Sequence, residues 1–192
     1  FAARLRAELG LGGASVRSAG GRSDEVDLVL ALGTDLLLAP SGWVNPHYAD
    51  TRRREPDGTW SDEWHVRWKE FPYDTPFGPG AYMEMIAHPL AEDAAIERYQ
   101  PPDPLRPSLF AEAERLIRDF KSEYWIVGMT VCTIFEAAWA LRGYERLLTD
   151  FLLDPELADR ILDIPFQHHL ATASRLVDLG VDMLWTGDDV GA

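Results

Sequence analysis

Apolar positions along the chain follow two periods. Phe110, Ala113, Ile117 and Phe120 recur at three- and four-residue steps, which predicts an amphipathic helix over 110–121. Short unbroken apolar runs at 35–39, 124–129 and 181–185 read as buried strands. Residues 23–32 are predicted helical, with Ser23 as cap, Asp24 and Glu25 in the first turn and Gly33 as the stop. Residues 1–9 also read as helix, closed by Gly10. The stretch 134–153 reads as two helical pieces meeting near Gly143. Asp154-Pro155-Glu156 is a strong helix start, and that helix is expected to run to Leu179, kink at Pro165 and stop at Gly180. Helices alternating with short buried strands predict an α/β fold with parallel strands.

The stretch from about 42 to 107 breaks this rhythm. Trp60, Asp62, Trp64, Val66 and Trp68 alternate with Ser61, Glu63, His65, Arg67 and Lys69, a two-residue period that predicts a strand. Residues 72–80 are rich in turn formers, and 81–86 are expected to return as a second strand. The reading is an inserted antiparallel β excursion with Trp60, Trp64 and Trp68 on its inner face, followed by a connector carrying Pro101, Pro102, Pro104 and Pro107. The plain role of the three tryptophans is to pack the hairpin onto the main domain. A sharper alternative makes them the wall of a large flat ligand's site.

Composition narrows the function. Lys plus Arg is 18 against 32 Asp plus Glu, a formal charge of −14, which argues against nucleic acid and against a polybasic membrane-surface protein. With 46% hydrophobic and 26% charged residues, the chain is an ordinary globular one. A single cysteine, Cys132, leaves no internal disulfide and no cysteine-rich zinc module within the chain. No signal peptide and no apolar run of about 18 residues appears, so a cytoplasmic location and no membrane partner are expected. A helix that is already under way at Phe1, and a strand and turn that end at Gly191 and Ala192, read as a piece of a larger fold. The expectation is an open sheet edge at 124–129 and 181–185.

No Gly-rich phosphate loop and no nucleophile elbow is present. Asp188-Asp189 is the best local signal. These acids follow a buried parallel strand, where α/β folds place their sites, although one of them would also serve to cap the next helix. Glu136 lies in an otherwise apolar stretch and must be paired or pocket-facing. Asp35 opens a strand, at the end that favours a structural role. His168 and His169 point about 100° apart on a helix and read as polar residues of its surface, and Cys132 reads as a small buried residue.

Several stretches together resemble the uroporphyrinogen decarboxylase superfamily, which includes the related cobalamin-linked methyltransferases. They are Ser61-Asp62-Glu63-Trp64, Gly80-Ala81-Tyr82 with His88-Pro89-Leu90, Pro102-Asp103-Pro104, and Ile134-Phe135-Glu136 with Leu141-Arg142-Gly143-Tyr144-Glu145. Asp154-Pro155-Glu156-Leu157, Gly180-Val181-Asp182-Met183 and Asp188-Asp189-Val190-Gly191 follow in order. The resemblance covers about 30–192. It implies a (β/α)8 TIM barrel with its site at the C-terminal mouth. Such a barrel takes about 250 residues, so residues 1–192 would form one partial domain, the first half to two-thirds of it, with the β-hairpin excursion at about 42–107.

The resemblance also carries residues. The decarboxylases hold pyrrole nitrogens with an acid in a Phe-Ser-Asp-Ile motif; Gly33-Thr34-Asp35-Leu36 is similar in place, so Asp35 joins Asp188, Asp189 and Glu136 as a catalytic candidate. Their strand-end tyrosine falls at Trp139, which makes Trp139 the candidate cofactor-binding residue and removes the phenol. Their Arg-rich motif has no counterpart in this chain. The methyltransferases bind zinc through a His and cysteines in the second half of the barrel. Methyl transfer, with zinc and a corrinoid, is the preferred expectation; decarboxylation of uroporphyrinogen, with no cofactor, is the alternative, and a non-catalytic binding barrel or inactive fragment is the third. The substrate would be a small molecule, tetrapyrrole or corrinoid, and the partner a corrinoid protein or a second copy. This piece alone is expected to be inactive.

Overall fold

The computed structural model describes residues 2–11, 23–41, 55–76 and 78–189. In chain order its elements are α1 (Ala2–Glu8), α2 (Ser23–Ala31), β1 (Leu36–Pro40), β2 (Thr59–Ser61), β3 (Arg67–Thr75), β4 (Gly78–Ala87), α3 (Asp93–Ile96), α4 (Ala111–Phe120), β5 (Trp125–Val131), α5 (Phe135–Arg142), α6 (Tyr144–Leu153), α7 (Pro155–Leu179) and β6 (Met183–Gly187). The expected α/β alternation is present, with one parallel and one antiparallel sheet and no closed barrel among the described residues. The chain divides into two compact units: Phe1–Ser41, Leu105–Met129 and Ala173–Trp185 form one, and Gly42–Pro104, Thr130–Thr172 and Thr186–Ala192 the other.

The first unit is built on the parallel sheet, ordered β1-β5-β6, with Leu36 opposite Trp125 and Pro40 opposite Met129. β5 is therefore the central strand, which corrects the expectation of an open edge there; the edges among the described residues are β1 and β6. Leu37, Ala39, Ile126 and Val127 are buried, and so are Ala113 and Leu116 of α4. Leu36, Leu38, Trp125, Met183 and Trp185 are exposed. A parallel sheet covered on both faces buries both sets; here Val127 is covered while Leu36, Leu38 and Trp125 on the same face are not, so described residues cover that face only in part. Gly128 marks the tightest packing, since a Cβ there would lie 3.1 Å from both Leu176 and Leu184. The start of β6 is tied to β5 by Asp182, whose Oδ2 accepts the Ile126 amide at 2.9 Å while Lys121 lies 3.3 Å from its Oδ1. The backbone bond, then the Lys121 ammonium, holds the Asp182 carboxyl below its usual pKa.

The second unit contains the antiparallel sheet β2-β3-β4 and the helices α5 and α6. Its core gathers Trp60, Trp64, Val66, Trp68 and Leu90 with Ala137, Ala138, Leu141, Leu147 and Ile161. The three tryptophans are buried as expected, but not from one strand. The alternating run folds back on itself: Trp60 of β2 is cross-strand partner to Trp68 of β3, and Trp64 sits in the turn between them. Asp62 closes that turn. Its Oδ1 accepts the amides of Trp64 at 2.9 Å and Val66 at 3.0 Å, and its Oδ2 accepts the Trp68 indole N–H at 2.8 Å. An Asp side chain satisfying the backbone two residues on competes with the strand ladder and wins here.

Helix α7 runs through Pro165 without interruption, and α5 meets α6 at Gly143, which has φ of +94°. A side chain at Gly143 would be strained by that φ, and its Cβ would also press on the His88 ring at 3.3 Å. His168 and His169 are each 4% exposed, which corrects their reading as surface residues. They fall on the α7 stripe that buries Ala158, Ile161, Thr172 and Leu176. No helix among the described residues is long and apolar enough to cross a membrane.

Candidate functional site

The C-terminal ends of β5 and β6, both within the second unit, bring together the loop residues 132–134, the first turn of α5 and the Asp188-Asp189 turn. The Cys132 amide donates to the Gly187 carbonyl at 2.8 Å, so the two loops begin in register. Asp188 then turns inward. Its Oδ2 accepts the amides of Ile134 and Phe135, each at 2.7 Å, and its Oδ1 accepts the Glu136 amide at 2.9 Å. Ile134, at the N-cap of α5, offers no side-chain cap of its own. Asp188 is thus the anion at the α5 N-terminus, where unpaired amides and the helix dipole favour a carboxylate. The sequence reading gave one of the two acids to a following helix; the helix that receives it is α5.

This placement carries a prediction. Asp188→Ala should lower stability by about 2 kcal/mol, since it removes bonds from three helix-end amides to one carboxylate. Asp188→Asn should lose less, because the amide oxygen still accepts on one side. Urea denaturation of both variants checks this; an unchanged midpoint for Asp188→Ala would contradict the capping role.

Cys132 stands between these groups with φ of +54°, a left-handed conformation that non-glycine residues rarely adopt. Burial first, then the Glu136 carboxylate that accepts its hydrogen bond, then Asp188 and Asp189, push the Cys132 thiol up to about 12. The side chain is therefore a neutral hydrogen-bond donor at neutral pH and not a thiolate. Glu136, half-buried in the first turn of α5, is paired with that thiol, which meets the expectation for an acid in an apolar stretch. Asp189 is exposed.

His169 completes the cluster, and the sequence reading missed it. Neither ring nitrogen has a hydrogen-bond partner, and the ring stacks at 6.0 Å on Trp64. Burial first, then His168, pulls its pKa down to about 3, while Asp188 acts in the opposite direction. The ring is neutral at physiological pH. The signal that finds it is the helical stripe of α7, on which both histidines fall in step with Ile161 and Thr172.

A histidine whose pKa falls from 6.5 to about 3 on folding binds fewer protons folded than unfolded. The unfolded chain is therefore favoured progressively as pH falls below 6.5. From pH 7 to pH 5 this one residue should cost about 2 kcal/mol. His169→Phe should remove that share of the pH dependence, as measured by urea denaturation at the two pH values. Equal slopes in the parent and the variant would overturn the assignment.

Asp35 is exposed, precedes the N-terminal end of β1 in the first unit and accepts the Trp125 amide with its backbone carbonyl. It is not brought into the cluster. Trp139 is half-buried and lines a pocket of about 300 Å³ with Trp68, Met83, Met85, His88 and Tyr144, none of which belongs to the cluster around Cys132. Among the described residues no group of three or more His, Cys, Asp or Glu side chains is placed to hold a metal ion. No family model and no curated protein matches the chain.

Proposed function

We propose that this chain belongs to an enzyme of the uroporphyrinogen decarboxylase-like superfamily, built on a TIM barrel of which it supplies a part, and that the enzyme transfers a methyl group to a small-molecule acceptor. The observation that carries the reading is the placement of Cys132, Glu136 and Asp188, with His169 within electrostatic reach of Asp188, beyond the C-terminal ends of two neighbouring parallel strands. That is the end at which barrels carry their chemistry. The apolar side chains exposed on the edge strands β1 and β6, Leu36, Leu38, Met183 and Trp185, are what an incomplete barrel would present.

In this reading Glu136 is the base. As a bond forms between the acceptor sulfur and the methyl carbon, the acceptor's proton passes to Glu136 and the methyl carrier leaves with its electron pair. Cys132 orients Glu136, Asp188 fixes the helix that bears it, and neutral His169 offers a hydrogen bond without a competing charge. Methyl transfer is preferred to decarboxylation because the resemblance aligns the decarboxylases' strand-end tyrosine with Trp139, which lacks the phenol, although Trp139 lies within α5 and not at a strand end. The test uses the longest natural polypeptide containing this chain, assayed with methylated donors and thiol acceptors and, separately, with uroporphyrinogen. Methylated thiol that falls tenfold or more in Glu136→Gln supports the proposal. Release of carbon dioxide from uroporphyrinogen without methyl transfer would replace it with the decarboxylase reading.

A further inference from the structure

We propose that the pocket beside Trp139 binds a small methylated ammonium ion that retains one N–H, such as a protonated tertiary methylamine. The pocket measures about 300 Å³, at the small end of ligand sites, and lies within the second unit. It is lined by the aromatic residues Trp68, Trp139 and Tyr144 together with Met83, Glu84, Met85 and His88. The Trp139 and Tyr144 rings meet at 87° with centroids 6.0 Å apart, two walls of a box and not a stacked pair. Ring faces carry negative potential, so perpendicular rings can present two such surfaces to one cation. Methionine sulfurs are soft and polarisable and suit N-methyl groups.

Two further observations select a cation over a neutral apolar guest. The Trp68 indole N–H donates to the Asp62 carboxylate at 2.8 Å, which drives electron density into the ring and makes its face a better cation surface. Among the described residues no lysine or arginine lines the box. In the β2-β3-β4 sheet, Lys69 alternates to the face opposite Trp68 and holds its ammonium 5.4 Å from the Phe71 ring, while Arg67 is bound to Asp57 and Thr59. The charge of −14 on the chain favours the approach of cations.

His88 selects the kind of cation. Its Nδ1 lies 2.8 Å from the Ala140 carbonyl, which can only accept, so Nδ1 carries the proton. In the neutral ring Nε2 is then an acceptor, and it has no hydrogen-bond partner among the described residues. An ammonium with one N–H can donate there and turn its methyl groups to the aromatic walls. A quaternary ammonium cannot. This binding claim does not depend on the methyl-transfer reading: an ion that binds without any turnover leaves it intact.

The test is titration of the chain with trimethylammonium, tetramethylammonium and tert-butanol, followed by calorimetry and by tryptophan fluorescence. Trimethylammonium should bind saturably and about tenfold or more tighter than the neutral alcohol. Trp139→Leu should weaken it about tenfold, and Tyr144→Leu, at a half-exposed position that tolerates change, about threefold or more. His88→Phe should abolish the preference for trimethylammonium over tetramethylammonium. Equal affinity for alcohol and cation, or indifference to both aromatic substitutions, overturns the proposal. Tetramethylammonium binding as tightly as trimethylammonium to the unsubstituted chain overturns the choice of a protonated amine.

Discussion

Replacing Arg142 with methionine is expected to cost about 3–5 kcal/mol, because it breaks a buried ion-pair network. Arg142 is 1% exposed at the end of α5. Its Nε and Nη2 grip Asp150 at 2.7 and 3.2 Å, its Nη2 also reaches Asp93 at 2.7 Å, and its Nη1 donates to the Leu90 carbonyl at 2.8 Å. Methionine fills much of the volume and supplies none of the donors. It leaves the Asp150 carboxylate, on a residue 8% exposed, buried against a carbonyl with no counter-charge. Arg142→Lys should recover only part of the loss, since one ammonium cannot reproduce the planar fork. The double variant Arg142→Met with Asp150→Leu should be more stable than the single one, because it removes the stranded charge. Guanidinium denaturation of the three variants tests this. A single-variant loss below about 1 kcal/mol would show that the network is not what joins α5 to α6 and the 90–93 loop.

The α/β alternation was legible because local physics decided it. Asp154, Pro155 and Glu156 start α7 from their own backbone constraints, and Gly143 separates α5 from α6 through a positive φ that only a residue without Cβ adopts freely. The tryptophan run was legible as burial and not as topology. Alternation says which side chains share a face, but Asp62 turns the chain through its own oxygens, and no periodicity measures that. The position of β5 between β1 and β6 was likewise out of reach, since strand order is set by tertiary packing and not by the runs themselves.

At the candidate site, acids were the visible part. Glu136 stood out because charge in an apolar context must be compensated, and Asp188 because it follows a buried parallel strand; they are paired with the Cys132 thiol and with the α5 amides. Which of these jobs an acid holds depends on a neighbour 50 or so residues away, so capping and chemistry could not be told apart from the order of residues. The histidines were misread because adjacent positions on a helix are usually divided between core and solvent. Here the α7 stripe is wide enough to bury both, and Trp64 covers them.

Trp64→Ala should therefore do two things at once. The ring is fully buried, with its centroid 4.6 Å from that of His168 and 6.0 Å from that of His169. Truncating a tryptophan packed on all sides costs roughly 3–5 kcal/mol, from lost transfer energy and from the cavity left behind. That cavity borders polar nitrogens, and a polar space of such size admits water. Water beside His169 weakens the desolvation that holds its pKa near 3, so the value should climb back toward 6.5. The folded and unfolded chains then bind protons more nearly alike, and the variant, though less stable at pH 7, should lose less further stability on acidification to pH 5 than the parent does. Trp64→Phe should keep most of the acid sensitivity while losing roughly 1–2 kcal/mol of packing. Urea denaturation at both pH values, with a nuclear magnetic resonance titration of the His169 ring, reads both effects. A Trp64→Ala variant with the parent's stability would refute the packing argument, and an unmoved His169 titration would refute the claim that this ring is what keeps the histidine dry.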